Sequence, residues 1–178
     1  MKFRNATAAD IPQICALERL PQFRTLVGSW PEEEHLRTLA NPDAAYLVVE
    51  SLQGQVEAFA ILRGLQSEHR AIELKRIVVG TPDGGIGKEL LAEVAERAFG
   101  ALGAHRLFLD VFVSNGRARY VYESFGFQKE GIMREAVYRD GQWHSLILMS
   151  LLENEYRAKR EGDRSGSREI LHRGRICG

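Results

Sequence analysis

Several things are scarce in this chain, and each shortage closes a route. Two cysteines, Cys15 and Cys177, stand far apart among 178 residues. They form no disulfide framework and no metal-ligand spacing, which fits a reducing compartment. His35, His69, His105 and His144 are scattered, so no metal site is expected. No apolar run approaches the roughly 20 residues of a membrane helix. The opening "MKFRNATAAD" is polar, unlike a secretory leader. Charge of one sign is also missing: 24 basic residues meet 24 acidic ones, for a formal net charge of zero. Bulk electrostatics therefore gives no pull towards nucleic acid or a membrane surface. The expectation is a soluble, cytoplasmic protein with neither as partner.

What is present is enough apolar material, 44% of residues, for one core. "KFRNA" reads as a strand. "TAADIPQICALERL" and "PEEEHLRTLA" read as helices, the second opened by proline and three acids. "AYLVVE", "VEAFAILRGL" and "IELKRIVV" read as strands, the first two joined by "SLQGQ". "KELLAEVAERAFGAL" carries a helical stripe of Leu90, Leu91, Val94, Ala95, Ala98 and Phe99. "RLFLDVFV" reads as a strand covered on both faces. "GRARYVYESFG" is a helix closed by Gly126, and "RDGQ" is an Asp-Gly hairpin signal between two last strands. The order β-α-α-β-β-β-α-β-α-β-β gives an α/β (α+β) mixed sheet with helices on its faces, in one domain spanning 1–158. Residues 159–178 are polar and aperiodic, and read as a flexible tail.

The stretch "GTPDGGIGKELL" sits where a strand becomes a helix. It is no P-loop: Glu89 follows Gly87-Lys88 where a hydroxyl is needed, and Pro82 stands where the first glycine should. It is no dinucleotide fingerprint either, because Leu90 occupies the third glycine position. Two readings remain. The glycines make a tight turn, or the amides of Gly85, Gly87, Lys88 and Glu89 converge on a pyrophosphate, helped by the helix dipole and Lys88.

The second stretch is "NGRARYVYESFGF". It places Asn115, Ala118, Tyr122, Gly126 and Phe127 at N-x-x-A-x-x-x-Y-x-x-x-G-F. With "GGIGKELL" before it, the pair resembles the GNAT superfamily of acyl-CoA N-acyltransferases, whose pyrophosphate signature is Q/R-x-x-G-x-G/A. Gly85 and Gly87 match its glycines, while Pro82 departs from its Gln/Arg and Asp83 adds a negative charge nearby. "GAHRLFLDVF" and "YESFGFQKEGIMRE" look most like the Rim-type branch, which acetylates protein N-termini or small amines.

The resemblance implies a twisted, mostly antiparallel sheet, splayed where acetyl-CoA binds. It implies an acetyl-CoA-dependent N-acetyltransferase acting on a primary amine by direct attack, without metal. Cofactor contacts would come from Gly84, Gly85, Ile86, Gly87, Lys88 and Glu89. Ile77, Val78 and Val79 would add main-chain pairing with the pantetheine and a carbonyl-stabilising N–H near Val78 or Val79. Asn115 would cap its helix and touch the cofactor. Tyr122 would donate to the departing thiolate. Glu73, on the strand entering the glycine loop, matches a strand glutamate that serves as base in some members; a cross-strand pair with Arg63 is its structural alternative. Arg117 and Arg119 are candidates for phosphate contacts, and Trp30 for the acceptor pocket. The apolar "LILMSLL" permits a homodimer through the last strands. The competing function is a CoA-binding regulatory module without transfer activity.

Overall fold

The computed structural model describes residues 1–23, 28–81 and 84–162. Seven strands form one sheet: β1 (Lys2–Asn5), β2 (Ala44–Glu50), β3 (Val56–Arg63), β4 (Ala71–Val79), β5 (Arg106–Phe112), β6 (Gln128–Arg139) and β7 (Gln142–Leu152). Their spatial order is β1-β2-β3-β4-β5-β7-β6. Only β4 and β5 run parallel, as the intervening helix requires; every other pairing is antiparallel. The helices are α1 (Ile11–Glu18), α2 (Glu32–Leu39), α3 (Ile86–Glu96) and α4 (Gly116–Phe125). A fifth, α5, occupies 153–162. This is the expected mixed, mostly antiparallel sheet with flanking helices.

Local chemistry sets these elements. Asp140 and Gly141 both take positive φ, 51° and 77°, so the β6–β7 hairpin has the primed turn that Asp-Gly favours. Asn115 caps α4 by accepting from the Ala118 amide at 3.1 Å, and Gly126 ends it at φ 116°. The α3 stripe is fully used and runs on into the π-helical turn Arg97–Ala101: Leu90, Leu91, Val94, Ala95 and Ala98 have no exposed surface. Each large side chain among them contributes about 2 kcal/mol.

The sheet carries a core on each face. One is built on α3 and α4, with Leu74, Leu107, Leu109 and Tyr122. The other is built on α1, with Tyr46, Phe59 and Val78. "LILMSLL" lies in β7 between β5 and β6, with Leu146, Ile147, Met149 and Leu151 buried. Its apolarity is thus consumed within the fold and gives no argument for a dimer. Residues 159–162 continue α5 rather than starting a tail, and Lys159 donates to the carbonyls of Ser124 (3.0 Å) and Phe125 (2.6 Å) at the end of α4. The rest of the expected tail, 163–178, lies outside the described residues, as do Cys177, Pro82 and Asp83.

Candidate active site

β4 and β5 pair only at Ala71–Glu73 with Arg106–Phe108, then part. Beyond that point β4 keeps β3 on one edge, through Ile77, Val78 and Val79, while its other edge has no strand beside it. Unpaired main-chain groups on that edge suit an extended, amide-bearing ligand. The gap opens into a cleft of about 860 Å³. Its walls come from β4, the start of α3, the end of β5, α4, the β6–β7 hairpin and the segment around Phe23 and Trp30.

At one end lies the glycine loop. Gly84, Gly85, Ile86, Gly87 and Lys88 all line the cleft; Glu89 does not. Gly85 has φ 79°, so the turn itself demands glycine there. Gly84 and Gly87 have no such demand. A Cβ at Gly84 would meet only Ile86, at 3.9 Å, and at Gly87 only Val79, at 3.4 Å. A tight turn therefore explains one glycine of three, and the other two keep the cleft wall bare. The amides of Lys88 and Glu89 donate to the Gly85 carbonyl at 3.0 and 3.2 Å. They are engaged in the helix, which corrects the expectation that they face a ligand. Among the described residues, the amides of Gly85, Ile86 and Gly87 have no acceptor. Together with the dipole of α3, these three amides and a glycine surface fit a diphosphate.

Deeper in stands Tyr122, 8% exposed, packed on Phe127 and lining the cleft. Burial, with a smaller push from Asp110, raises its hydroxyl well above the usual value, so it keeps its proton. Asp110 lines the cleft from β5. It opens to solvent through the cleft, yet enough protein surrounds the carboxyl for desolvation to raise its pKa. Lys75 opposes that shift and Glu73 adds to it. No sequence signal marks Asp110, because "RLFLDVFV" reads as a strand covered on both faces, with Asp110 merely its one acid.

Glu73 is placed differently. It occupies the last paired position before the strands part, outside the cleft lining, and accepts from Lys75 Nζ at 3.1 Å. Arg63, its expected alternative partner, sits opposite it in register but approaches Glu34 instead, at 3.8 Å. Ile77 and Val79 line the cleft, while Val78 is buried on the α1 side. Asn115 and Arg117 line it too. Arg119 turns away and donates to the Val113 carbonyl at 3.0 Å. Trp30 is on the wall, beneath the guanidinium groups of Arg76 (4.2 Å) and Arg63 (4.8 Å). His35 is wholly buried against Glu18 (3.3 Å) and Tyr46 (3.1 Å). No group of metal-ligating side chains occurs among the described residues.

Residues 12–127 match the acetyltransferase (GNAT) family. The chain belongs to that family. It is similar to spermidine N(1)-acetyltransferase from Vibrio cholerae, 28% identical over 79% of this chain and 87% of the relative. It is also similar to the putative ribosomal N-acetyltransferase YdaF of Bacillus subtilis, 27% identical over 76% and 72%. The GNAT fold of this acetyltransferase matches the crystal structure of the Vibrio cholerae spermidine N-acetyltransferase in complex with CoA and spermine. That match has a TM-score of 0.77 at 21% identity, covering 87% of this chain and 96% of the other. These relatives carry two kinds of name, so the comparison reaches the GNAT N-acetyltransferases and not a Rim-type branch within them. No helix of the described residues is long and apolar enough to cross a membrane.

Proposed function

We propose that this acetyltransferase moves an acetyl group from acetyl-CoA to a primary amine by direct attack within a ternary complex. The observation that supports it is a cleft with a glycine-lined helix N-terminus at one end and a carboxyl beside a protonated phenol deeper in. Acetyl-CoA supplies the activated thioester. Gly85, Ile86 and Gly87 would hold its diphosphate through main-chain N–H groups, with Lys88 adding charge. The free edge of β4, at Ile77–Val79, would align its pantetheine arm, and Asn115 would border it.

Asp110 takes the base role here in preference to Glu73. An alkylammonium has a pKa near 10, so a proton must leave before the nitrogen can attack. Asp110 lines the cleft, and its raised pKa makes it a better acceptor for that proton. Glu73 is committed to Lys75. Tyr122 then donates to the sulfur as the carbon–sulfur bond breaks. An ordinary thiol has a pKa near 8.5, below tyrosine's, so the phenol stabilises the leaving thiolate by a hydrogen bond. The test is thiol release from acetyl-CoA across an amine panel, beginning with the spermidine named for the relatives. Turnover on any amine supports transfer. Tight CoA binding with no turnover on any of them would favour a regulatory module.

A further inference from the structure

We infer that Glu18, which lies behind the cleft wall, is a positioning residue: its buried carboxylate fixes Trp30 in the part of the wall that faces the acceptor amine. The inference rests on the transfer reading above and adds to it a residue that sets acceptor affinity without touching the acceptor.

Glu18 ends α1, and its side chain has no exposed surface. A carboxylate so placed needs donors. Arg76 Nη1 reaches one oxygen at 2.6 Å. The Trp30 amide, at 2.8 Å, and His35 Nε2, at 3.3 Å, reach the other. A bulge turns Arg76 towards Glu18. Ile61 pairs with Arg76 and Leu62 with Leu74, which leaves Lys75 as an extra residue in β4. Leu74 therefore packs with α3 and α4, while Arg76 joins the Trp30 side. There Arg76 Nη1 also donates to the Gly28 carbonyl at 2.7 Å. Gly28 and Trp30 belong to no helix or strand, so these side chains hold their main chain where a ladder would otherwise do so.

The indole is held from more than one direction. The His35 ring lies 5.4 Å from it, and the guanidinium groups of Arg76 and Arg63 lie over it. Arg63 Nη2 donates to the Thr38 hydroxyl at 3.3 Å, and Thr38 hydrogen-bonds Tyr46. The Tyr46 hydroxyl is 3.1 Å from His35 Nδ1, and His35 leads back to Glu18. Both cations over Trp30 are thus ends of one chain of side chains that runs through Glu18. Arg76 stands four residues before Gly80 on β4, about 13 Å at the rise of an extended strand. Its neighbour Lys75 acts on the Asp110 carboxyl. The wall that Glu18 holds is therefore near the proposed base and remote from the proposed diphosphate site. Loosening it weakens acceptor binding and spares the cofactor.

The test reads Trp30 directly. Trp143, the other of two tryptophans, is exposed beside the β6–β7 turn and lies outside the cleft lining. Trp143→Phe therefore leaves Trp30 as the sole indole fluorophore. In that background Glu18→Gln keeps the side chain's shape and removes its charge. Acrylamide quenching of Trp30 should rise about threefold or more as the ring leaves close packing, with the Kd for CoA unchanged. With spermidine, or the best acceptor of the amine panel, the acceptor KM should rise about tenfold while kcat and the KM for acetyl-CoA hold. Tyr46→Phe takes one hydroxyl from the chain and keeps the ring in the core, so it should move both readouts the same way by a smaller factor. It carries the test where the Glu18→Gln protein does not fold. Unchanged quenching, or equal rises in both KM values, overturns the inference. A lower Tm with Trp30 and acceptor KM unmoved also overturns it, and makes Glu18 a structural ion pair. If no amine turns over, the transfer reading falls, and the quenching alone decides whether Glu18 fixes Trp30.

Discussion

In the proposed reaction, Tyr122 and Asp110 divide the chemistry between a group that keeps its proton and one placed to accept it. Tyr122→Phe should preserve the ring's packing and lower kcat by about ten- to a hundredfold, with little change in the KM for acetyl-CoA. Asp110→Asn should cost about a hundredfold in kcat/KM. Since desolvation raises the Asp110 carboxyl, the acid limb of its pH–rate profile should lie above the ordinary carboxylate range, and the Asn variant should lose that limb. A pH series of initial rates checks both. Glu73→Gln should change rates far less than Asp110→Asn; the opposite order would return the base role to Glu73. Asp10 serves stability instead. Arg4 holds it in two hydrogen bonds of 2.8 Å and lowers its pKa from 3.8 to about 2. Its folded value is depressed, so its contribution is complete above about pH 4 and is lost as pH falls towards 2. Acid unfolding of Asp10→Asn should be flatter across that window than that of the wild type.

At the scale of elements, the sequence discloses more about helices and turns than about the strand that matters most. Periodic Leu90, Leu91, Val94 and Ala98, the Asn115 cap and the Asp140-Gly141 turn are local signals, so they are legible. The bulge at Lys75 is not, because it arises from pairing β4 with β3, residues far apart in the chain. That shift decides which face Arg76 occupies. Asp110 and Trp30 become neighbours of one cleft only through the parting of β4 from β5, again a long-range fact. The glycine loop is half legible: its spacing points to a phosphate cradle, but only the fold shows Lys88 and Glu89 amides turned into the helix. Gly85→Ala, forced to φ 79°, should cost about 1 kcal/mol of stability. Gly87→Val adds bulk to the cleft wall, and should weaken acetyl-CoA binding at least tenfold with a smaller change in Tm. Calorimetric titration with CoA, read beside thermal melts, separates the two effects.

Across the whole molecule, two cores hold the sheet rigid on both sides of one local opening. The end of β4–β5 pairing at Glu73 and Phe108 sets where that opening lies, and what remains to be measured is what the loop at its mouth grips. Amide hydrogen exchange, with and without saturating acetyl-CoA, probes that grip at single residues. Exchange at Gly85, Ile86 and Gly87 should slow at least tenfold, with no change at Gly54 in the distant β2–β3 turn. Unchanged exchange at those three amides, while CoA is demonstrably bound, would contradict a diphosphate held by this loop.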